Sequence, residues 1–211
     1  MTEQEFKQYV EQLGINIPEE QLQQLNKFYL LLVEWNQKIN LTRITDQEEV
    51  YLKHFYDSLT LTRVIDLKKV ETLCDVGTGA GFPGIVLKII FPHLKITLID
   101  SLLKRVNYLN EIIKNLELTD IKAIHSRGED HKETYDLVTA RAVARLDKLL
   151  DYCFPLVNKG GSFIAMKANL TDEVEEASKK LTKYKVTITK IDTFKLPKED
   201  SNRTLVMINR E

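Results

Sequence analysis

From residue 70 onward, short runs rich in Val, Ile, Leu and Thr alternate with helical patterns, and this alternation restricts the fold more than any other feature of the 211 residues. The runs at 70–76, 95–100, 121–125, 135–140 and 162–166 read as strands, with a helical stretch between each pair. Strands joined through helices need crossover connections, which build a mostly parallel sheet covered by helices on both faces. Two further runs, 185–191 and 204–208, follow each other across a turn-prone segment at 195–203. They are expected to pair antiparallel at one end of what becomes a seven-stranded, mostly parallel α/β sheet.

The first 65 residues read differently. Phe6, Tyr9, Val10 and Leu13 recur at helical spacing, and Leu22, Leu25, Phe28, Tyr29, Leu32 and Trp35 do so again after Gly14 and Pro18. A third helix is expected over 47–64, capped by Asp46, with Val50, His54 and Leu61 on one stripe. The helical spacing assigns the aromatics Phe28, Tyr29, Trp35, Phe55 and Tyr56 to packing ahead of base stacking. The chain therefore divides into an N-terminal helical extension, 1–65, and an α/β domain, 66–211, forming one compact unit.

Charge and composition narrow the classes of function. The 30 Lys+Arg and 31 Asp+Glu give a net charge of −1, against a surface that binds nucleic acid indiscriminately. Residues 1–60 carry 5 basic and 10 acidic side chains (net −5), whereas 101–170 carry 11 basic and 9 acidic (net +2), so a local positive face remains. The start Met1-Thr-Glu-Gln-Glu-Phe6 lacks a secretory pattern and no run suits a membrane span, which points to a cytoplasmic protein. Cys74 and Cys153 are expected to be buried, reduced thiols, and the four scattered histidines show no metal-ligand spacing, so no metal is expected.

The first strand runs into Asp75-Val76-Gly77-Thr78-Gly79-Ala80-Gly81-Phe82-Pro83-Gly84, four glycines in eight residues where strand turns to helix. A loop that presses its backbone against a nucleoside has no room for Cβ atoms at the closest points. Gly79 to Gly84 formally fits the dinucleotide pattern G-x-G-x-x-G, with Asp100 at the spacing of a ribose-binding acid, so a nicotinamide enzyme stands as the alternative. Two features favour S-adenosylmethionine. Asp75, at the strand end, is expected to approach a methionyl ammonium, where an anion would be awkward beside a pyrophosphate; and the loop has no Lys or Arg to grip phosphate. Asp100 then serves the ribose hydroxyls or caps the next helix, and Glu129, with Gly128, meets the adenine edge or is a solvated acid.

The segments Gly77 to Gly84, Leu98-Ile-Asp-Ser101 followed by Lys104-Arg105, and Ala140-Arg-Ala-Val-Ala144 together resemble the RsmG (GidB) family. Trp35-Asn36, Asn40-Leu-Thr42, His54 and Asp57-Ser58-Leu59 extend the likeness through the helical part, so it covers nearly the whole chain. The resemblance implies a Rossmann-like class I S-adenosylmethionine-dependent methyltransferase acting on 16S ribosomal RNA or the small ribosomal subunit; a monomer is expected. It implies methylation at N7 of one guanine in the decoding region, and cofactor contacts at Gly77, Phe82, Gly128, Glu129 and Arg141. Thr78 stands where Ser is common in the family, Lys167-Ala168 where Lys-Gly is common, and the sequence ends at Asn209-Arg-Glu211 where many members carry a basic, proline-containing tail. Part of the RNA-binding surface is thus expected either to be missing or to be supplied elsewhere.

Guanine N7 has a free lone pair and no proton to lose, so its methylation needs no general base and no catalytic proton carrier is nominated. Arg141, just past the fourth strand, is placed to hold the cofactor, guanine O6 or a phosphate, or to make an ion pair. Lys104, Arg105, Arg145 and Lys167 are candidate phosphate contacts at the same sheet edge, with solvated charge as the competing role. His54 and Asp57, three residues apart, read first as a structural polar pair and second as part of site closure. The sequence Ala140-Arg141-Ala142-Val143 lacks the Asn-Pro-Pro-Tyr type of motif that holds an exocyclic nitrogen, in keeping with a ring nitrogen as acceptor. A methyltransferase for another acceptor and a nucleotide-binding regulator remain the competing functions.

Overall fold

A computed structural model of the protein describes residues 1–170 and 172–211. The N-terminal part forms helices α1 (Glu3–Gln12) and α2 (Glu19–Ile39), then a continuous helical rod made of α3 (Gln47–Val50), a π turn (Tyr51–Tyr56), α4 (Asp57–Leu59) and a 3-10 turn (Thr60–Arg63). Thr2 and Glu5 cap α1 reciprocally, and Asp46 Oδ1 accepts the Glu49 amide at 3.0 Å as the expected cap of α3. Where one regular helix over 47–64 is expected, the π turn intervenes. It lets Tyr51 and Phe55 pack inward on Phe6 and Phe28 while His54 and Asp57 face the sheet edge, and such turns recur at functional sites.

The sheet contains β1 (Thr72–Val76), β2 (Lys95–Asp100), β3 (Ile121–His125), β4 (Tyr135–Arg141), β5 (Val157–Lys167), β6 (Ile188–Lys195) and β7 (Asn202–Asn209). Its order is β3-β2-β1-β4-β5-β7-β6, with the first five strands parallel and β7 antiparallel to both neighbours. Helices α5 (Gly84–Ile90), α6 (Leu103–Asn115), α7 (Leu146–Cys153) and α8 (Glu173–Tyr184) make four of the crossovers, whereas the short link 126–134 from β3 to β4 holds only a 3-10 turn (Gly128–Asp130) where a helical stretch is expected. The seven-stranded, mostly parallel α/β fold is as expected. The bounds differ most at β5, which begins at Val157, and at β6, which starts at Ile188 because Lys185 ends α8 in the left-handed conformation (φ 56°) and which runs on to Lys195.

Side chains alternate across β1, so Leu73 joins one apolar cluster and Cys74 the other. The first cluster unites Phe6, Leu25, Phe28 and Phe55 of the helical part with α5, α6 and one face of the sheet; the second packs α7 and α8 on the opposite face. One core thus ties the helical part to the sheet, with Phe28, Phe55 and Tyr56 buried and Tyr29 and Trp35 packed at its margin. Cys74 and Cys153 lie free in the second cluster, and burial pushes both thiols up, which leaves them protonated and inert at neutral pH. Among the described residues no helix is long and apolar enough to cross a membrane.

Candidate active site

The strand order reverses between β1 and β4, and the connections leaving their carboxyl ends diverge to opposite faces, opening a crevice there. The glycine loop lies on its floor. Gly77 and Gly79 adopt φ of 69° and 61°, and a Cβ on Gly77 would stand 2.6 Å from Val143 Cγ2. Glycine at 77 therefore serves both the turn and a close approach. Two carboxylates pin the loop from below: Asp75 Oδ2 accepts from the Thr78 hydroxyl at 2.7 Å and the Gly84 amide at 2.9 Å, and Asp100 Oδ2 accepts the Gly79 amide at 3.0 Å.

Asp75 differs from the expectation that it approaches an ammonium. Alternation along β1 puts its side chain on the face of Leu73, beneath the start of α5, so it lines neither hollow of the crevice. It is completely buried and its Oδ1 has no partner among the described residues; this desolvation, opposed by the two hydrogen bonds, pushes the carboxyl up to about 6. Asp100 also accepts the Leu102 amide at 2.9 Å and lies 3.3 Å from Arg105 Nη1. Leu102, not Asp100, is the N-cap of α6, so the capping reading is replaced by a turn that leaves the acid beside the crevice.

Two hollows occupy the crevice and meet at Gly77, which lines both. The smaller, about 220 Å³, lies over β1–β3 and is lined by Asp100, Gly128, Glu129, Val143 and Tyr152 among others. The larger, about 370 Å³, lies over β1, β4 and β5 and is roofed by the helical part; Gly77, Gly79, Phe82, Arg141 and Lys167 line it with Thr42, His54, Asp57 and Arg203. The roof is built by Asn36, whose Oδ1 accepts the Leu41 and Thr42 amides at 2.6 and 2.8 Å where Asn40 turns left-handed after α2.

The wall of the larger hollow is a chain of polar contacts. Phe82 stacks on His54 with ring centroids 4.4 Å apart, and the Arg141 guanidinium lies 5.1 Å from the Phe82 ring centre. Arg141 Nη1 donates to Asp57 Oδ2 at 3.0 Å and to the Lys53 carbonyl at 3.1 Å, while Arg203 Nε donates to Asp57 Oδ1 at 2.8 Å. His54 Nε2 is 3.0 Å from the Thr42 hydroxyl. Burial, reinforced by Arg141, pulls the imidazole down to about 3, so it is neutral at any working pH. Among the described residues His54 and Asp57 make no hydrogen bond to each other; both instead contact Arg141, and Asp57 also binds Arg203, which joins the helical part to β4 and β7 around the cavity.

Of the four candidate phosphate contacts, Lys104 alone is exposed with no ion pair among the described residues. Arg105 pairs with Asp100, Arg145 with Glu176, and Lys167 with Glu173 at 2.9 Å while it also donates to the Ala144 carbonyl. Arg203 carries no signal in the sequence because it falls in a turn-prone stretch; only the antiparallel seating of β7 against β5 brings it here. Among the described residues no group of three or more His, Cys, Asp or Glu is placed to hold a metal ion.

A glycine cradle at the switch point, an acid ending β2 and a paired hollow on the carboxyl edge define a class I S-adenosylmethionine-dependent methyltransferase. The fold agrees with a solved S-adenosylmethionine-dependent O-methyltransferase of Thermotoga maritima, TM-score 0.57 at 14% identity over 85% of this chain and 71% of that one. The particular family follows from sequence comparison. The model of the family GidB, rRNA small subunit methyltransferase G, matches residues 21–205, and the chain belongs to that family. It is 48% identical to the ribosomal RNA small subunit methyltransferase G of Bacillus pumilus over all of this chain and 91% of the relative. Against the protein of that name from Exiguobacterium sibiricum the identity is 47%, over all of this chain and 92% of the relative.

Proposed function

We propose that the chain methylates N7 of a guanine in the decoding region of 16S ribosomal RNA, as naked RNA or within the small subunit. The observation that carries the reading is the chemistry of the larger hollow's wall. Both oxygens of Asp57 are taken by arginines, Asp75 lies beneath the loop, and His54 is held near Thr42, so these groups do not present a proton acceptor to the cavity. That suits a nucleophile with no proton to lose, such as guanine N7. The names of the relatives supply the small-subunit RNA.

S-adenosylmethionine supplies, when bound, a methyl group on a positively charged sulfur. Gly77 and Gly79 leave room for its close approach; Asp100, Gly128 and Glu129 line the hollow suited to the adenosine, and Phe82 and Arg141 line the one suited to the methionyl end. The residues then act by orientation: holding reactants in line is worth roughly 7 to 11 kcal/mol in well-oriented systems. Lys104, exposed at the start of α6, and Arg105 and Arg145, whose ion pairs are partly solvated, remain the cations offered to RNA phosphates. Lys167, a tenth exposed and paired with Glu173, is better suited to holding the cavity edge. A cytoplasmic monomer with residues 1–65 and 66–211 acting as one unit completes the reading.

The test is transfer of labelled methyl from S-adenosylmethionine to small subunits or 16S RNA lacking the modification, followed by mapping. Label at one guanine N7 is expected. Label on an exocyclic amine, a ribose or a protein overturns the acceptor while sparing the enzyme class.

A further inference from the structure

The larger hollow contains a second guanidinium beside Arg141. Register pairs Thr204 of β7 with Lys167, the last residue of β5, so Arg203 stands one step beyond the carboxyl end of that strand. Its Nε donates to Asp57 Oδ1 at 2.8 Å and its Nη1 to the Asn202 carbonyl at 2.8 Å, with the Ser201 hydroxyl 3.4 Å away. Its Nη2 makes no hydrogen bond among the described residues, and the side chain keeps 20% of its exposure. Arg141 is more fully engaged: Nη1 serves Asp57 and the Lys53 carbonyl, Nη2 lies 3.4 Å from His54 Nδ1, and its plane covers Phe82 of the glycine loop. The two arginines share one carboxylate, one on the loop side of the hollow and the other away from it.

We infer that Arg203, positioned by Asp57, selects the methyl-accepting base by donating from Nη2 to the carbonyl oxygen beside the attacked ring nitrogen. The inference rests on the guanine-N7 reading given above. Guanine presents an acceptor, O6, next to N7, whereas adenine presents an amino donor there. A guanidinium has donors only, so it completes a hydrogen bond with the first and faces a donor in the second. With His54 neutral, the Arg141–Asp57–Arg203 cluster carries one guanidinium more than carboxylate, and its free donor is one that a carbonyl oxygen can accept from. Asp57 turns each oxygen to an arginine and keeps only 4% exposure, so it offers little to adenine's amino group, and the Thr42 hydroxyl already bonds His54 and the Ile44 amide. Discrimination therefore comes from a fixed donor and from the lack of a free acceptor in this polar cluster.

The test compares kcat/KM on 16S RNA, both free and assembled into small subunits, bearing guanine or 2-aminopurine at the target position, since 2-aminopurine keeps N7 and lacks O6. Wild-type protein should prefer guanine by on the order of 10- to 100-fold beyond the intrinsic difference, the range of one charge-assisted hydrogen bond. Arg203→Ala should lose that factor on guanine and almost nothing on 2-aminopurine, which narrows the preference. Arg203→Lys keeps the charge Asp57 faces but commits its single nitrogen there, and should narrow the preference equally. Asp57→Asn should do so too, whereas a merely structural role would lower both rates alike. S-adenosylmethionine affinity within about threefold of wild type certifies each variant as folded. Variants that bind S-adenosylmethionine yet retain the full preference overturn the inference and leave the guanine-N7 reading intact. A wild-type protein that methylates neither RNA overturns both.

Discussion

Replacing Asp75 by Asn should change the pH dependence of folding in a way that reads the burial of this carboxylate directly. Its folded value near 6 stands about 2 pH units above the 3.8 of an unperturbed Asp, because desolvation outweighs the bonds from Thr78 and Gly84. Between these values the native state holds a proton that the unfolded chain has released, so stability falls as pH rises. The contribution is fully present below about pH 3.8 and is lost as pH passes 6. With 1.36 kcal/mol per unit, the loss is about 3 kcal/mol. The substituted side chain still offers a carbonyl to Thr78 and Gly84 and does not titrate; whatever its amide costs in place of the unpartnered Oδ1 is independent of pH. Urea unfolding of wild type and Asp75→Asn from pH 4 to 7.5 should show the variant gaining about 3 kcal/mol on wild type across that interval. A difference that stays flat, or that moves the other way, would refute the argument that Asp75 is buried without a cationic partner.

The remaining predictions concern the crevice. Gly77→Ala must hold φ near 69° and push Val143 aside; it should cost about 1 kcal/mol in thermal unfolding and weaken S-adenosylmethionine binding more than tenfold by calorimetry, because Val143 lines the smaller hollow. Asp57→Ala leaves two guanidiniums facing each other and should destabilise by about 3 kcal/mol, the lower end for breaking a buried ion pair, since the arginines keep 16% and 20% exposure. The pH profile of kcat should show no imidazole inflection between 5.5 and 8, because His54 is neutral throughout; an inflection abolished by His54→Gln would contradict its value of about 3.

Strands β1, β2 and β4 were legible because parallel strands covered on both faces read as nearly unbroken apolar runs, as Thr72–Val76 and Lys95–Asp100 do, and the edge strand β3 because Ile121, Ala123 and Ile124 break up its polar residues. The start of β5 was hidden by Lys159-Gly160-Gly161, which looks like a turn, and the end of β6 was blurred by its position at the sheet edge, where Lys190, Asp192 and Lys195 keep it polar. The π turn adds too little to the period over six residues to register in a hydrophobic pattern. Within the site, Gly77, Phe82, Arg141 and Lys167 converge on one hollow and Asp100, Gly128 and Glu129 on the other, as their places at strand ends suggested. Asp75 shows the limit of that inference: a strand-end position fixes where a residue sits, while alternation decides which way its side chain faces. Arg203 shows another, since its arrival depends on pairing with a strand far away in sequence.

The central claim is that one crevice, with Gly77 at its middle, serves as the methyl-transfer site. A crystal structure of the protein with S-adenosylhomocysteine tests this most directly. The expected result is adenosine over Asp100, Gly128 and Glu129 and the amino-acid end beside Gly79, Phe82 and Arg141, leaving the region by Asp57 and Arg203 open for the base. Ligand bound outside both hollows, or its amino-acid end lying across Arg203 where the base is to enter, would contradict it.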